Sequence, residues 1–123
     1  MFFILDNTDE EKMTLYFSLN NKLIQHSYPT TKNQNIAVCL EKSLAKLKLG
    51  LKDLKYLGVV VGEGRFTASR LAVTAINTLA YSLKVPAVAL PKNFDQALAI
   101  KLAKKAAVGK YLVPQYSGEA RVS

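Results

Sequence analysis

The stretch from Tyr56 to Leu83, YLGVVVGEGRFTASRLAVTAINTLAYSL, constrains the fold more than any other part of the chain. It opens on an apolar run ending in Val59-Val60-Val61, with few polar residues to give an alternating pattern. Such a run predicts a strand buried on both faces, in the middle of a sheet. Gly62 and Gly64 follow, and glycine admits backbone dihedrals that other residues resist. Thr67 is placed to cap a helix that continues to about Lys84. A strand, a glycine turn and a helix N-terminus turn backbone N–H groups outward, where an anion can sit. A tight strand-to-helix connection with no ligand fits the same residues.

The predicted helix carries no charge between Arg70 and Lys84. One stripe is Ala72, Ala75, Leu79 and Leu83; a second is Leu71, Ala75, Thr78 and Ser82; Val73, Ile76 and Ala80 form a third side. A surface helix of a monomer normally has one apolar stripe and a charged back. A sheet covers one side only, so Val73, Ile76 and Ala80 need other cover. Leaving them in water forgoes about 1.5–3 kcal/mol for each large side chain. The cover is either another helix of the same domain or a partner subunit.

Around this stretch the periodicities alternate. Phe2-Phe3-Ile4-Leu5 predicts a strand that ends at the turn formers Asp6-Asn7-Thr8-Asp9. Leu15, Phe17 and Leu19 alternate with Thr14, Tyr16 and Ser18, Asn20-Asn21 signals a hairpin, and Lys22 to Tyr28 returns. From Thr31 the period becomes helical, with Ile36, Leu40, Leu44 and Leu47 inward and Gly50 as the stop. Val85 to Leu90 predicts a fifth strand. Asn93 or Asp95 caps a third helix to about Val108, with Phe94, Leu98 and Leu102 inward, Lys101, Lys104 and Lys105 outward, and Gly109 at its end. The order is βββαβαβα, a five-stranded mixed sheet with helices on its faces. At 123 residues this predicts one domain, residues 1–110, and an extended tail, residues 111–123.

Composition narrows the chemistry. The formal net charge is +8, from 17 Lys and Arg against 9 Asp and Glu, which favours acidic partners such as RNA. Lys101, Lys104, Lys105 and Lys110 are the densest basic group; they read either as a solvated helix face or as an RNA contact. The single Cys39 allows no internal disulfide and fits a reducing, cytoplasmic setting. Asp6 interrupts the apolar N-terminus, so no secretion signal is expected, and no run approaches membrane-spanning length. His26, the only histidine, and Cys39 fall on different elements, so neither a metal site nor a Ser-His-Asp arrangement is expected. Glu63, inside Gly62-Glu63-Gly64-Arg65, would repel a phosphate that Arg65 attracts, which favours a structural turn.

The string LGVVVGEGRFTASRLAVTAINTLAYSLKVPAVAL resembles the hallmark segment of the TsaB (YeaZ) family, subunits of the bacterial machinery that makes threonylcarbamoyladenosine in tRNA. Gly62, Gly64, Phe66, Thr67 and Arg70 match the family's G-P-G-S-F-T-G-L-R pattern, and Val85-Pro86-Ala87-Val88 matches the strand that follows. Glu63, Arg65 and Ala68 depart from it. The resemblance implies the ribonuclease-H-like fold of the actin, sugar kinase and Hsp70 superfamily. Family members carry two such domains and this chain has room for one; the family-like ending at Tyr111 to Tyr116 favours a natural reduction, with a truncated fragment as the alternative reading. The superfamily places an acidic residue and small hydroxyl residues at nucleotide phosphates after the first strand. By that resemblance Asp6, Asn7 and Thr8 are degenerate phosphate-loop positions, while their local sequence also fits a plain Asx turn.

The resemblance further implies a subunit with no transfer chemistry and no cofactor, paired with the catalytic paralogue TsaD, and joined by the ATPase TsaE. Contact with tRNA comes through the complex. The pairing helices correspond to residues 31–49 and 67–84. That assigns Ile36, Leu40, Arg70, Val73, Ile76, Asn77 and Ala80 to the partner interface, and predicts homodimers when the chain is alone. Two other readings stand beside it: a homodimeric minimal nucleotide-binding protein of the same superfamily, and a basic RNA-binding module.

Overall fold

A computed structural model of the chain describes residues 1–9, 11–20, 22–29, 35–61 and 66–105, with the side chains of residues 66–69 and 103 excepted. Its strands are β1 (Phe2–Asp6), β2 (Lys12–Leu19), β3 (Lys22–Pro29), β4 (Tyr56–Val60) and β5 (Ala87–Leu90). Its helices are α1 (Ile36–Lys46), α2 (Phe66–Leu83) and α3 (Gln96–Lys105). The expected order holds, with a 3-10 turn at Leu51–Asp53 added before β4.

The five strands form one mixed sheet in the order β3-β2-β1-β4-β5. The β1-β2-β3 meander is antiparallel, with Phe3 opposite Phe17 and Leu15 opposite His26. β1, β4 and β5 run parallel, with Phe3 beside Leu57 and Gly58 beside Val88. β4 is interior and its last four residues are buried. The middle position belongs to β1, not to the valine strand, because β1 joins the meander to the parallel half. Its residues Phe2 to Leu5 are buried on both faces, which explains an unbroken apolar run.

Side-chain alternation splits the core into two layers. Phe3, Leu5, Met13, Leu15, Phe17, Leu57 and Val59 face α1 and α2. Phe2, Ile4, Val60, Val88 and Leu90 face α3. Gly58 is needed in the second layer, where an added Cβ would sit 3.1 Å from both Leu90 and Phe2 and 3.3 Å from Ile4. Tyr28 and Ser43 join β3 to α1 by a hydroxyl–hydroxyl hydrogen bond of 2.7 Å.

The helix boundaries differ from those expected, for reasons of capping. α1 starts at Ile36 because the Asn35 side chain accepts hydrogen bonds from the N–H groups of Ala37 and Val38. It ends before Gly50. Lys48 adopts φ 60, and the N–H groups of Lys48 and Leu49 donate back to the carbonyls of Ala45 and Leu44. That is a Schellman ending with lysine where glycine is usual. α2 ends in the same way, with Lys84 at φ 57 and Val85 N–H donating to the Ala80 carbonyl. Phe66 is already helical, so Thr67 lies in the first turn and is not the N-cap. For α3 the cap is Asp95, whose side chain accepts from the Leu98 N–H at 2.7 Å. Gly109 and the tail lie outside the described residues.

Candidate functional site

Two places on this frame could carry function: the outer faces of α1 and α2, and the carboxyl edge of the parallel strands. On α2 the stripes are those expected, but their roles are exchanged. Val73 and Ile76 are each 1 % exposed and Ala80 6 %, all within the chain's own core. They press on the sheet and cannot be the partner face. Leu40 of α1 is likewise 5 % exposed and mostly core. Val73, Ile76 and Ala80 together offer more apolar surface than a stripe in which Leu71 is followed by Ala75, Thr78 and Ser82, so the helix turns that side inward. Of the other expected interface residues, Arg70 is exposed, and Ile36 and Asn77 are half-buried.

The side of α2 turned away from the sheet is the Leu71, Ala75, Thr78, Ser82 stripe. With Thr74 and Leu79 it forms one wall of an open groove of about 530 Å³. Asn35, Ile36, Ala37 and Leu40 form the facing wall from α1. Leu71 is 58 % exposed on this groove, Tyr81 on the same helix is 69 % exposed, and Val38 on α1 is 44 % exposed. Thr78 turns its hydroxyl onto the Thr74 carbonyl at 2.9 Å. That satisfies the hydroxyl within the helix and leaves its methyl group as the surface it adds to the groove. Among the described residues that line the groove, none is Lys, Arg, Asp or Glu. An uncharged groove with exposed apolar side chains has the composition of an interface centre.

The second place is the edge where β1 and β5 end. The Asp6 carboxylate accepts two hydrogen bonds from Thr8, the backbone N–H at 2.9 Å and the hydroxyl at 2.6 Å. Lys92, just beyond β5, donates its ammonium to the Thr8 hydroxyl oxygen at 2.7 Å. Asn7 and Thr8 are buried. The Thr8 hydroxyl is thus engaged both as donor and as acceptor, as in a tied Asx turn. Burial, and then the Asp6 carboxylate, hold the Tyr16 phenol above its usual value. No local motif marks Lys92; only the parallel pairing of β4 with β5 brings it beside a residue 84 positions away. Gly62, Glu63, Gly64 and Arg65, the expected glycine turn, lie outside the described residues.

The remaining candidates are scattered. Lys101, Lys104 and Lys105 are exposed on α3, while Lys110 lies outside the described residues. His26 packs its ring 5.8 Å from that of Phe17, and its buried Nδ1 has no hydrogen-bond partner among the described residues. Burial, and then the charge of Lys46, push its pKa down. Cys39 is wholly buried, and burial pushes its thiol up. Among the described residues no three His, Cys, Asp or Glu side chains cluster as metal ligands. No helix among them is long and apolar enough to cross a membrane.

Residues 30–115 match the family model described as TsaD, tRNA N6-adenosine threonylcarbamoyltransferase. Over 47 residues the chain is 38% identical to the tRNA threonylcarbamoyladenosine biosynthesis protein TsaB of Buchnera aphidicola subsp. Schizaphis graminum (strain Sg). That stretch covers 38% of this chain and 22% of the relative. Among solved structures, YeaZ from Pseudomonas aeruginosa superposes with a TM-score of 0.66 at 20% identity, over 73% of this chain and 44% of that one. A protein with similarity to peptidase YEAZ from Pseudomonas aeruginosa gives a TM-score of 0.65 at 21% identity, over 85% and 47% of the two chains. The chain therefore spans less than half the length of each of these relatives. The fold is that of the YeaZ structures, a five-stranded mixed sheet with three helices in the ribonuclease-H-like manner. With the family model covering most of its length, the chain belongs to the TsaD-type family, and TsaB and YeaZ proteins are among the relatives it resembles.

Proposed function

We propose that the chain serves tRNA threonylcarbamoyladenosine biosynthesis as a non-catalytic scaffold, docking a TsaD-like catalytic paralogue in the α1/α2 groove. The observation that carries this reading is the groove itself, open and uncharged among the described residues, with Leu71 58 % exposed at its wall. Obligate interfaces resemble a core cut in half, and an unshared face of this kind is the half a related helix pair completes. Alone, the same face pairs with a second copy, since two-fold association is the commonest closed arrangement. A TsaE-like ATPase joins the assembled pair, and tRNA is met through it.

The test is co-expression with the TsaD-like protein of the same genome, followed by sedimentation of the mixture and of each chain alone. A stable one-to-one complex is the expected result. Failure to associate, with both chains folded, refutes the scaffold reading. The Asp6–Thr8–Lys92 arrangement favours a second reading, a homodimeric nucleotide-binding protein, because an ammonium stands at the carboxyl edge of parallel strands. Calorimetric titration with ATP separates the two: the scaffold reading expects no heat of binding, and the nucleotide reading expects saturation lost in Lys92→Ala.

A further inference from the structure

The two large surfaces of the molecule are set on opposite faces of one sheet. α1 and α2 cover the face lined by Phe3, Leu15, Phe17 and Val59. The side chains of α3 pack on the other, against the layer of Phe2, Ile4, Val60 and Leu90. Ala99 of α3 is 1 % exposed, and Gln96 donates from Nε2 to the Ser18 hydroxyl at 2.6 Å, fixing the helix in rotation. That rotation puts Ala97, Lys101, Lys104 and Lys105 in solvent, and at 3.6 residues per turn they occupy an arc of about a hundred degrees. No acidic residue lies on α3.

Lys101 with Lys104 and Lys101 with Lys105 are like charges at helical neighbour spacing, which works against the helix. The helix dipole offsets this for Lys104 and Lys105, which are in the last turn, and not for Lys101. Among the described residues the arc carries no large apolar side chain of the kind that an interfacial helix sinks into lipid. Lysines on flexible stems, without stacking aromatics, suit phosphate contacts made without reading bases.

We infer that Lys101, Lys104 and Lys105 form an RNA-backbone contact that stays open while the α1/α2 groove is occupied. The choice of RNA among polyanions rests on the functional reading above. The experiment is a binding titration of the full chain with a tRNA transcript over a range of salt. A second titration uses the triple variant Lys101→Gln, Lys104→Gln, Lys105→Gln. Losing three phosphate contacts lowers the slope of log affinity against log salt by about 2–3 and weakens binding at least about tenfold at low salt. A control variant, Lys42→Gln, Lys52→Gln, Lys55→Gln, removes the same charge from exposed positions elsewhere and keeps the wild-type slope. Unchanged binding by the α3 variant overturns the inference. So does an equal loss in the control, which would mean diffuse attraction by net charge, or binding to phosphatidylserine vesicles with none to tRNA. The titration uses the chain without its partner, so failed pairing with a TsaD-like protein refutes the scaffold role and leaves this result standing.

Discussion

Leu71→Glu and Ile76→Glu form a matched pair five residues apart on α2, and the fold predicts opposite failures for them. Leu71 is 58 % exposed at the groove, so a glutamate there stays solvated in the free chain. Exposed helix substitutions of this kind shift stability by no more than about 0.5 kcal/mol. In a complex the same carboxylate is buried. Full burial of a leucine contributes about 1.5–3 kcal/mol, and a little over half of that is still available at Leu71, roughly 1–2 kcal/mol. An unpaired buried charge adds about 3 kcal/mol or more to the loss. Association of Leu71→Glu therefore weakens by at least about 4 kcal/mol, nearly a thousandfold, with an unchanged melting curve. Ile76 is 1 % exposed among Val73, Leu57 and Val59 in the sheet-facing layer. Its replacement by glutamate removes core packing worth about 2–5 kcal/mol and buries a charge besides, which exceeds half the stability of an ordinary domain. Sedimentation and circular dichroism melts read the two effects separately. A folded Leu71→Glu chain that binds a TsaD-like partner with wild-type affinity refutes the groove as the docking face. A cooperative, wild-type melt for Ile76→Glu refutes the assignment of the two stripes.

Three further outcomes follow from packing and backbone geometry. Gly58→Ala forces a methyl against Leu90, Phe2 and Ile4, all buried, and lowers stability by about 1–3 kcal/mol in a urea titration. Lys84→Gly relieves a left-handed φ of 57 and raises stability by about 0.5–1 kcal/mol by the same measurement; a loss would show that the lysine side chain outweighs the strain. His26 has its pKa depressed by burial, so the unfolded chain binds the proton more readily than the folded one. Its contribution is therefore complete above the unfolded value near 6.5 and is lost as pH falls through the lower folded value. Melting temperatures taken downward from pH 7 fall more steeply for the wild type than for His26→Gln, and parallel curves would contradict this.

The legibility of the molecule in its sequence differs by element. Among the described residues, periodicity locates each strand and α-helix, because burial on one face or two writes itself into spacing, but not the short 3-10 turn at Leu51–Asp53. It misplaces the ends of α1, where Lys48 takes a conformation that glycine usually signals and where Asn35 caps the helix several residues after the helical period begins. The glycine pattern after Val61 and the Val-Pro strand at Val85-Pro86 point to the family from sequence alone, since such motifs are local in the chain.

Residue order is enough to establish that α2 has apolar or small residues on more sides than a sheet can cover. Which side faces out was settled only by packing in three dimensions. Stripes of Val73, Ile76, Ala80 and of Leu71, Ala75, Thr78 satisfy the same helical period, and the period carries no direction. Docking against Leu57 and Val59 chose the side with Val73, Ile76 and Ala80, and α1 beside α2 turned the other stripe into a groove. The Thr8–Lys92 contact was equally out of reach, because residues so far apart meet only through the strand order β1-β4-β5. Local chemistry is written in neighbouring residues; which surfaces remain open depends on what the rest of the chain has already buried.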